Sequence, residues 1–265
     1  MQLRKLTTIG SVLTLLAFCS VLFPSIVAAQ TAPEKVSVAA AANVSSVGDA
    51  LTKAFAKAYP AYALEFTFGA SGTLSTQIKN GAPWEVFLSA DTDFPKQLKA
   101  AGVTASEPKV YATGLLILLS TKAQDFKKGL AVLKDADIAK FAIANPATAP
   151  YGKAAQDALQ KSGLWDTVKD KVVTGQTITQ ALQFTLTSAG IGFVNKSALY
   201  TKEVSAFDKE GVNWYAVDPK LYDPIEQAFV VLKPGADKPG VKAFAAFLSS
   251  PEAKAIFKAA GYLVP

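Results

Sequence analysis

The sequence predicts an α/β fold in two lobes, each a mainly parallel sheet with flanking helices. Three observations predict it. Short β-rich runs alternate with helical patterns along most of the chain, as repeated β-α-β units require. Two such series are separated by Leu115–Ser120, apolar at every position but the last, as in a strand buried on both faces. The closing helical patterns follow the second series and so return to the first lobe.

In order, Arg4 and Lys5 precede an apolar run from Ile9 to Ile26 that ends in Val27-Ala28-Ala29. That is the pattern of a secretory signal peptide over residues 1–29, cleaved before Gln30. A membrane anchor is the alternative, but the run contains Ser, Thr and Pro24 and stops at small residues. Leu16-Ala17-Phe18-Cys19 suggests a lipidated cysteine, yet bulky Phe18 stands where such sites want a small residue. Val36–Ala40 reads as a strand, and Val47, Leu51, Ala54, Phe55 and Ala58 recur at helical spacing up to Pro60. Leu64–Phe68 is a second strand, and a short helix with Leu74 and Ile78 stops near Gly81. Glu85–Ser89 is a third strand, with a helix from about Asp93 to Gly102.

In the second series Phe141–Ala144, Val172–Val173 and Gly192–Asn195 read as strands, and Lys153–Lys161 and Ile178–Leu186 as helices. Trp214–Val217 and Gln227–Leu232 are late strands. Phe244, Phe247, Leu248, Ile256 and Phe257 mark the final helices. The expected organisation is a first lobe over residues 30–112, a second over 113–223, and a return to the first over 224–265. Two crossings, near Thr113 and near Asp223-Pro224, make a hinge.

Composition narrows the function classes. Cys19 and Met1 both lie in the signal segment and the chain has no histidine, so the mature chain is stable without disulfides and must bury a real core. Without Arg4 and Lys5 the basic residues number 25 against 21 acidic, a net +4. The lysines are scattered, so no basic stripe with interleaved aromatics exists to bind nucleic acid. Without histidine there is no Ser-His-Asp arrangement, and no Cys or His metal cluster. Gly69-Ala70-Ser71-Gly72-Thr73 lacks the second glycine of a nucleophile elbow, and Ser106-Glu107-Pro108-Lys109 lacks the motifs that accompany Ser-x-x-Lys in enzymes.

In open parallel sheets ligands bind at the carboxyl ends of strands, beside helix N-termini. Four such turns stand out: Ala42-Asn43-Val44-Ser45-Ser46, Ala70-Ser71-Gly72-Thr73, the run from Asn145 to Gly152 that includes Tyr151, and Gly175-Gln176-Thr177-Ile178. None carries a carboxylate or a histidine. Helix N-termini present unpaired N–H groups and partial positive charge, so four of them facing one cleft form a pocket made almost wholly of donors. Such a pocket suits a fully deprotonated tetrahedral dianion, because a protonated oxyanion needs an acceptor and loses about 1–3 kcal/mol without one. Each residue has a plainer reading beside this one. Asn43 and Ser71 serve as N-caps, Tyr151 as a surface aromatic, Ile178 as core unless its backbone N–H is what matters, and Asp91 as a turn former.

At these turns the chain resembles the periplasmic molybdate-binding proteins of ABC-type importers, over nearly all of residues 35–265. The resemblance is carried by Ala39-Ala40-Ala41-Ala42-Asn43, Gly69-Ala70-Ser71-Gly72-Thr73-Leu74, and the run from Asn80 to Asp91. It continues in Asn145-Pro146, Ala149-Pro150-Tyr151-Gly152, Gly190-Ile191-Gly192-Phe193-Val194 and Tyr222-Asp223-Pro224-Ile225. It implies the type II periplasmic binding-protein fold with a two-strand hinge. It also implies a non-enzymatic capture of molybdate or tungstate, without cofactor or direct protein–metal bonds, and delivery by a monomer to a membrane permease. Position by position, Asn43 and Ser71 would donate from the first lobe, Tyr151 and the Ile178 backbone from the second, with an added backbone N–H from Ala42. The chain departs from many members in having Asn43 for Ser, Tyr151 for Ala, and Asn195 where a ligand tyrosine stands. It looks like a second version that pairs Asn with Tyr. Sulfate and phosphate are rival ligands, and a secreted enzyme or a regulatory sensor of the same fold are the rival classes.

Overall fold

The computed structural model describes residues 32–265, so the signal segment lies outside the described residues. Strands β1 (Glu34–Ala41), β2 (Tyr62–Gly69) and β3 (Val86–Leu88) are parallel neighbours. The helices α1 (Ser45–Ala58), α2 (Ser71–Lys79) and α3 (Asp93–Ala100) follow them in turn. β4 (Lys109–Gly114) then leads to β5 (Leu116–Ser120), which opens a second sheet. That sheet is built on β6 (Phe141–Ala144), β7 (Val172–Gly175), β8 (Ile191–Asn195) and β9 (Trp214–Ala216). Among its helices are α4 (Pro150–Lys161), the short α5 (Trp165–Val168) and α6 (Ile178–Phe184). β10 (Ile225–Val231) returns to the first sheet, and α7 (Pro239–Phe247) and α8 (Pro251–Ala259) complete the chain.

The two sheets have the same topology. Their orders are β2-β1-β3-β10-β4 and β7-β6-β8-β5-β9, and in each the fourth strand runs against its neighbours. The direction follows from the crossings. β4 and β9 run toward the end where the loops into helices lie, so a strand arriving from the other lobe enters at that end and must run away from it. β5 and β10 are those strands. The hinge pairs Gly114 with Ile225, and the last residues tie to it, with Thr113 and Leu263 exchanging backbone hydrogen bonds at 2.7 and 3.0 Å.

Several local differences from the sequence pattern have physical causes. β4 has no apolar run, because only Tyr111, Ala112 and Gly114 are buried and Lys109 and Thr113 are not. α4 begins at Pro150 rather than Lys153, since proline suits the first helical turn, where its missing N–H is not needed. The 3-10 segment Phe126–Lys134 is broken at Gly129, whose φ of 55° interrupts any helical periodicity. Each sheet has its own apolar core. Phe55, Phe244, Phe247 and Phe257 cluster over the first, and Phe141 and Phe193 over the second. Ala41, Ala42, Ala70 and Ala90 of the first lobe join the second lobe's cluster, so the lobes are packed together at the strand ends.

Candidate functional site

The five residues singled out at the turns converge. Ala42, Asn43, Ser71, Tyr151 and Ile178 line one small cavity of about 10 Å³. Ala41, Gly69, Ala70, Ala90, Ala149 and Pro150 complete it, so its lining has no Lys, Arg, Asp or Glu. Each of the five is almost fully buried.

Local structure explains each placement. β1 ends at Ala41 and the chain makes a 3-10 turn, Ala42–Val44, before α1. Ser71 and Ile178 are the first residues of α2 and α6, where a backbone N–H has no intrahelical acceptor. The Ser71 hydroxyl oxygen accepts from the Ala90 N–H at 3.0 Å. The Tyr151 oxygen accepts from Gln227 Nε2 at 3.1 Å. Neither hydroxyl donates to a protein acceptor among the described residues. Each hydroxyl oxygen therefore accepts one hydrogen bond from the protein, and each proton is left unspent. Burial, with smaller contributions from Tyr262 and Tyr111, holds the Tyr151 phenol well above its usual range, so it stays a donor at any physiological pH. Gly114 makes room for it: a Cβ there would lie 1.9 Å from the Tyr151 oxygen.

Asn43 differs from the sequence expectation of a side-chain donor. Its Nδ2 donates to Gln227 Oε1 at 2.9 Å and to the Tyr262 hydroxyl at 3.0 Å, and its buried Oδ1 has no partner. Residues from β10 and from the C-terminus take the amide hydrogens, so the donor left to Asn43 is its backbone N–H. Asn195, placed by the sequence where a tyrosine is common, donates to Ser197 Oγ at 2.6 Å. It lines a larger neighbouring crevice that shares Ala42 and Asn43 but extends toward Tyr200 and Lys202. Asp91 accepts from the Phe94 N–H at 3.1 Å and from Ser89 Oγ at 2.9 Å, as a turn former does.

Sequence reasoning missed three contributors. Gln227, Tyr262 and Thr179 meet the site residues across the fold. Thr179 Oγ1 donates to the Ala42 carbonyl at 3.3 Å, and the Gly72 N–H to the Thr148 carbonyl at 2.9 Å. These two bonds join the lobes beside the cavity. Gln227 had one available signal, an uncharged amide directly before an apolar run, Ala228–Val231. Tyr262 had none.

Comparisons with known proteins agree with this architecture. The family model of the bacterial extracellular solute-binding proteins matches residues 36–263. The molybdate-binding protein ModA of Azotobacter vinelandii is 40% identical over 237 residues, covering 89% of this chain and 91% of that protein. ModA of Rhodobacter capsulatus is 41% identical over 204 residues, covering 76% and 78%. The solved structure of the Azotobacter vinelandii periplasmic molybdate-binding protein matches with a TM-score of 0.79 at 33% identity, covering 87% of this chain and 99% of that one. With two lobes of the periplasmic binding-protein type and relatives at this identity over most of its length, the chain belongs to the bacterial extracellular solute-binding proteins, in the family of the molybdate-binding protein ModA.

Proposed function

We propose that this protein captures molybdate, and also tungstate, in the periplasm and delivers it as a monomer to the membrane permease of an ABC importer. One observation carries the reading: two hydroxyls that each accept from the protein and keep an unspent proton share a cavity free of charged side chains with the first residues of two helices. Unspent donors stabilise a bare dianion and leave a charged counter-group unnecessary. The donors are the backbone N–H groups of Ala42, Asn43, Ser71 and Ile178 and the hydroxyls of Ser71 and Tyr151. At about 1.5–3 kcal/mol for each charge-assisted bond, the six supply roughly 9–18 kcal/mol, against the roughly 8–12 kcal/mol of micromolar to nanomolar binding. What exceeds the binding free energy offsets the costs of association and closure. Capture proceeds by closure about the Gly114–Ile225 hinge, with Tyr151 and Ile178 arriving from the second lobe. The relatives are named as binding proteins, and no carboxylate lines the cavity to act as a general base.

One observation favours a second ligand. The unpaired Asn43 Oδ1 is an acceptor, which hydrogen phosphate would satisfy and molybdate would not. Calorimetric titration of the mature protein with molybdate, tungstate, sulfate and phosphate separates these readings. Molybdate and tungstate are expected to bind with similar affinity and well ahead of the others. Sulfate or phosphate binding as tightly as molybdate refutes the assignment.

A further inference from the structure

We propose that Gln227 is a positioning residue of the anion site, whose carboxamide makes Tyr151 an obligate donor and couples it to Asn43 across the hinge. The proposal rests on the oxyanion reading of the cavity. Gln227 is fully buried on β10, opposite Ala112 of the other hinge strand. Its Oε1 accepts from Asn43 Nδ2 and from the Tyr111 hydroxyl, both at 2.9 Å, and its Nε2 donates to Tyr151 at 3.1 Å. One side chain therefore touches a site residue from each lobe.

The two ends of this amide are not interchangeable, because the network around it has a direction. Asn195 Nδ2 donates to Ser197 Oγ, Ser197 donates to the Tyr262 oxygen, and Tyr262 donates to the Asn43 carbonyl. With Asn43 Nδ2 also on the Tyr262 oxygen, its amide is turned toward Gln227 as a donor. Exchanging the ends of Gln227 would set two N–H donors against each other at 2.9 Å and would turn an oxygen toward Tyr151. That oxygen would consume the phenolic proton. In the observed order the chain of donors ends instead on the unspent Tyr151 proton. The titratable groups facing Gln227 are Tyr111 and Tyr151, with Tyr262 reached through Asn43. Asp91 acts on Tyr111 from the turn after β3, and no Lys or Arg hydrogen-bonds to the network among the described residues.

The test replaces the amide by a group whose donor character is set by pH. In Gln227→Glu the carboxylate has only acceptors and receives a hydrogen bond from the Tyr151 hydroxyl, whereas the protonated acid can donate to Tyr151 as the amide does. Burial raises the acid's titration toward neutrality. Molybdate affinity is measured by calorimetry for wild type and variant at about pH 6 and about pH 8.5, alongside ligand-free melting. We expect a wild-type affinity that changes less than about threefold, a variant weaker by about 100-fold at the higher pH, and recovery of at least about tenfold at the lower. Variant affinity within about threefold of wild type at the higher pH overturns the proposal. A loss of equal size at both pH values also overturns it, since that is the mark of a packing role. Should the variant not fold, Gln227→Met and Tyr151→Phe are combined in a double-mutant cycle. Coupling is expected, and additive losses overturn the proposal. Wild-type protein that binds none of molybdate, tungstate and sulfate overturns the oxyanion reading itself, and this inference with it.

Discussion

Replacing Ser71 by alanine separates the ligand-binding and structural roles of one hydroxyl. In the folded protein its oxygen accepts from the Ala90 N–H at 3.0 Å, and its proton has no acceptor among the described residues. Truncation removes a donor to the anion, about 1.5–3 kcal/mol for a charge-assisted bond, which is roughly a 10- to 150-fold loss of affinity. It also strips the Ala90 N–H of its partner in a buried setting, at about 1–3 kcal/mol. For a chain of this size that lowers the melting temperature by about 2–12 °C. The assays are calorimetric titration with molybdate and thermal melting without it. The two readouts distinguish a structural acceptor of the Ala90 N–H from a ligand donor. A structural role alone lowers melting and leaves affinity intact. Affinity within about threefold of wild type therefore refutes the donor role of Ser71, however far the melting point falls.

Two further outcomes follow from the same geometry. Gly114→Ala places a methyl group 1.9 Å from the Tyr151 oxygen and 2.7 Å from Gln227 Nε2. It should weaken molybdate binding by at least about tenfold, and unchanged calorimetry would show that Tyr151 does not work from this position. Tyr111, Tyr151 and Tyr262 all have phenols raised above the usual range, chiefly by burial. Unfolding exposes them to ordinary titration near pH 10. Their contribution is thus fully present below about pH 10 and is lost as pH rises through the folded values, because the unfolded chain then binds fewer protons. Urea unfolding should show stability falling above about pH 10, and ultraviolet titration of the native protein should find these three tyrosines protonated there. A native titration in which every tyrosine ionises near pH 10 contradicts this.

The sequence by itself determined the α/β class, most of the strand and helix order, and the turns that gather around the cavity. The reason is local. A residue such as Ser71 or Ile178 sits where a β-rich run gives way to a helical pattern, and that junction is visible in a few neighbouring residues. The family resemblance rested on the same turns. Tertiary structure decided what those residues can still offer. Asn43 looks like a donor in the chain, yet its amide hydrogens go to Gln227 and Tyr262, which are 184 and 219 positions away. The interlobe contacts, Gly72 with Thr148 and Thr179 with Ala42, likewise join segments that no local pattern pairs. β4 escaped notice because its burial alternates too weakly to stand out, and it became a strand by lying beside β10. A hydrogen bond has a direction that depends on both partners. Residue type fixes which groups can donate, but only the folded neighbours fix which protons remain free for a ligand.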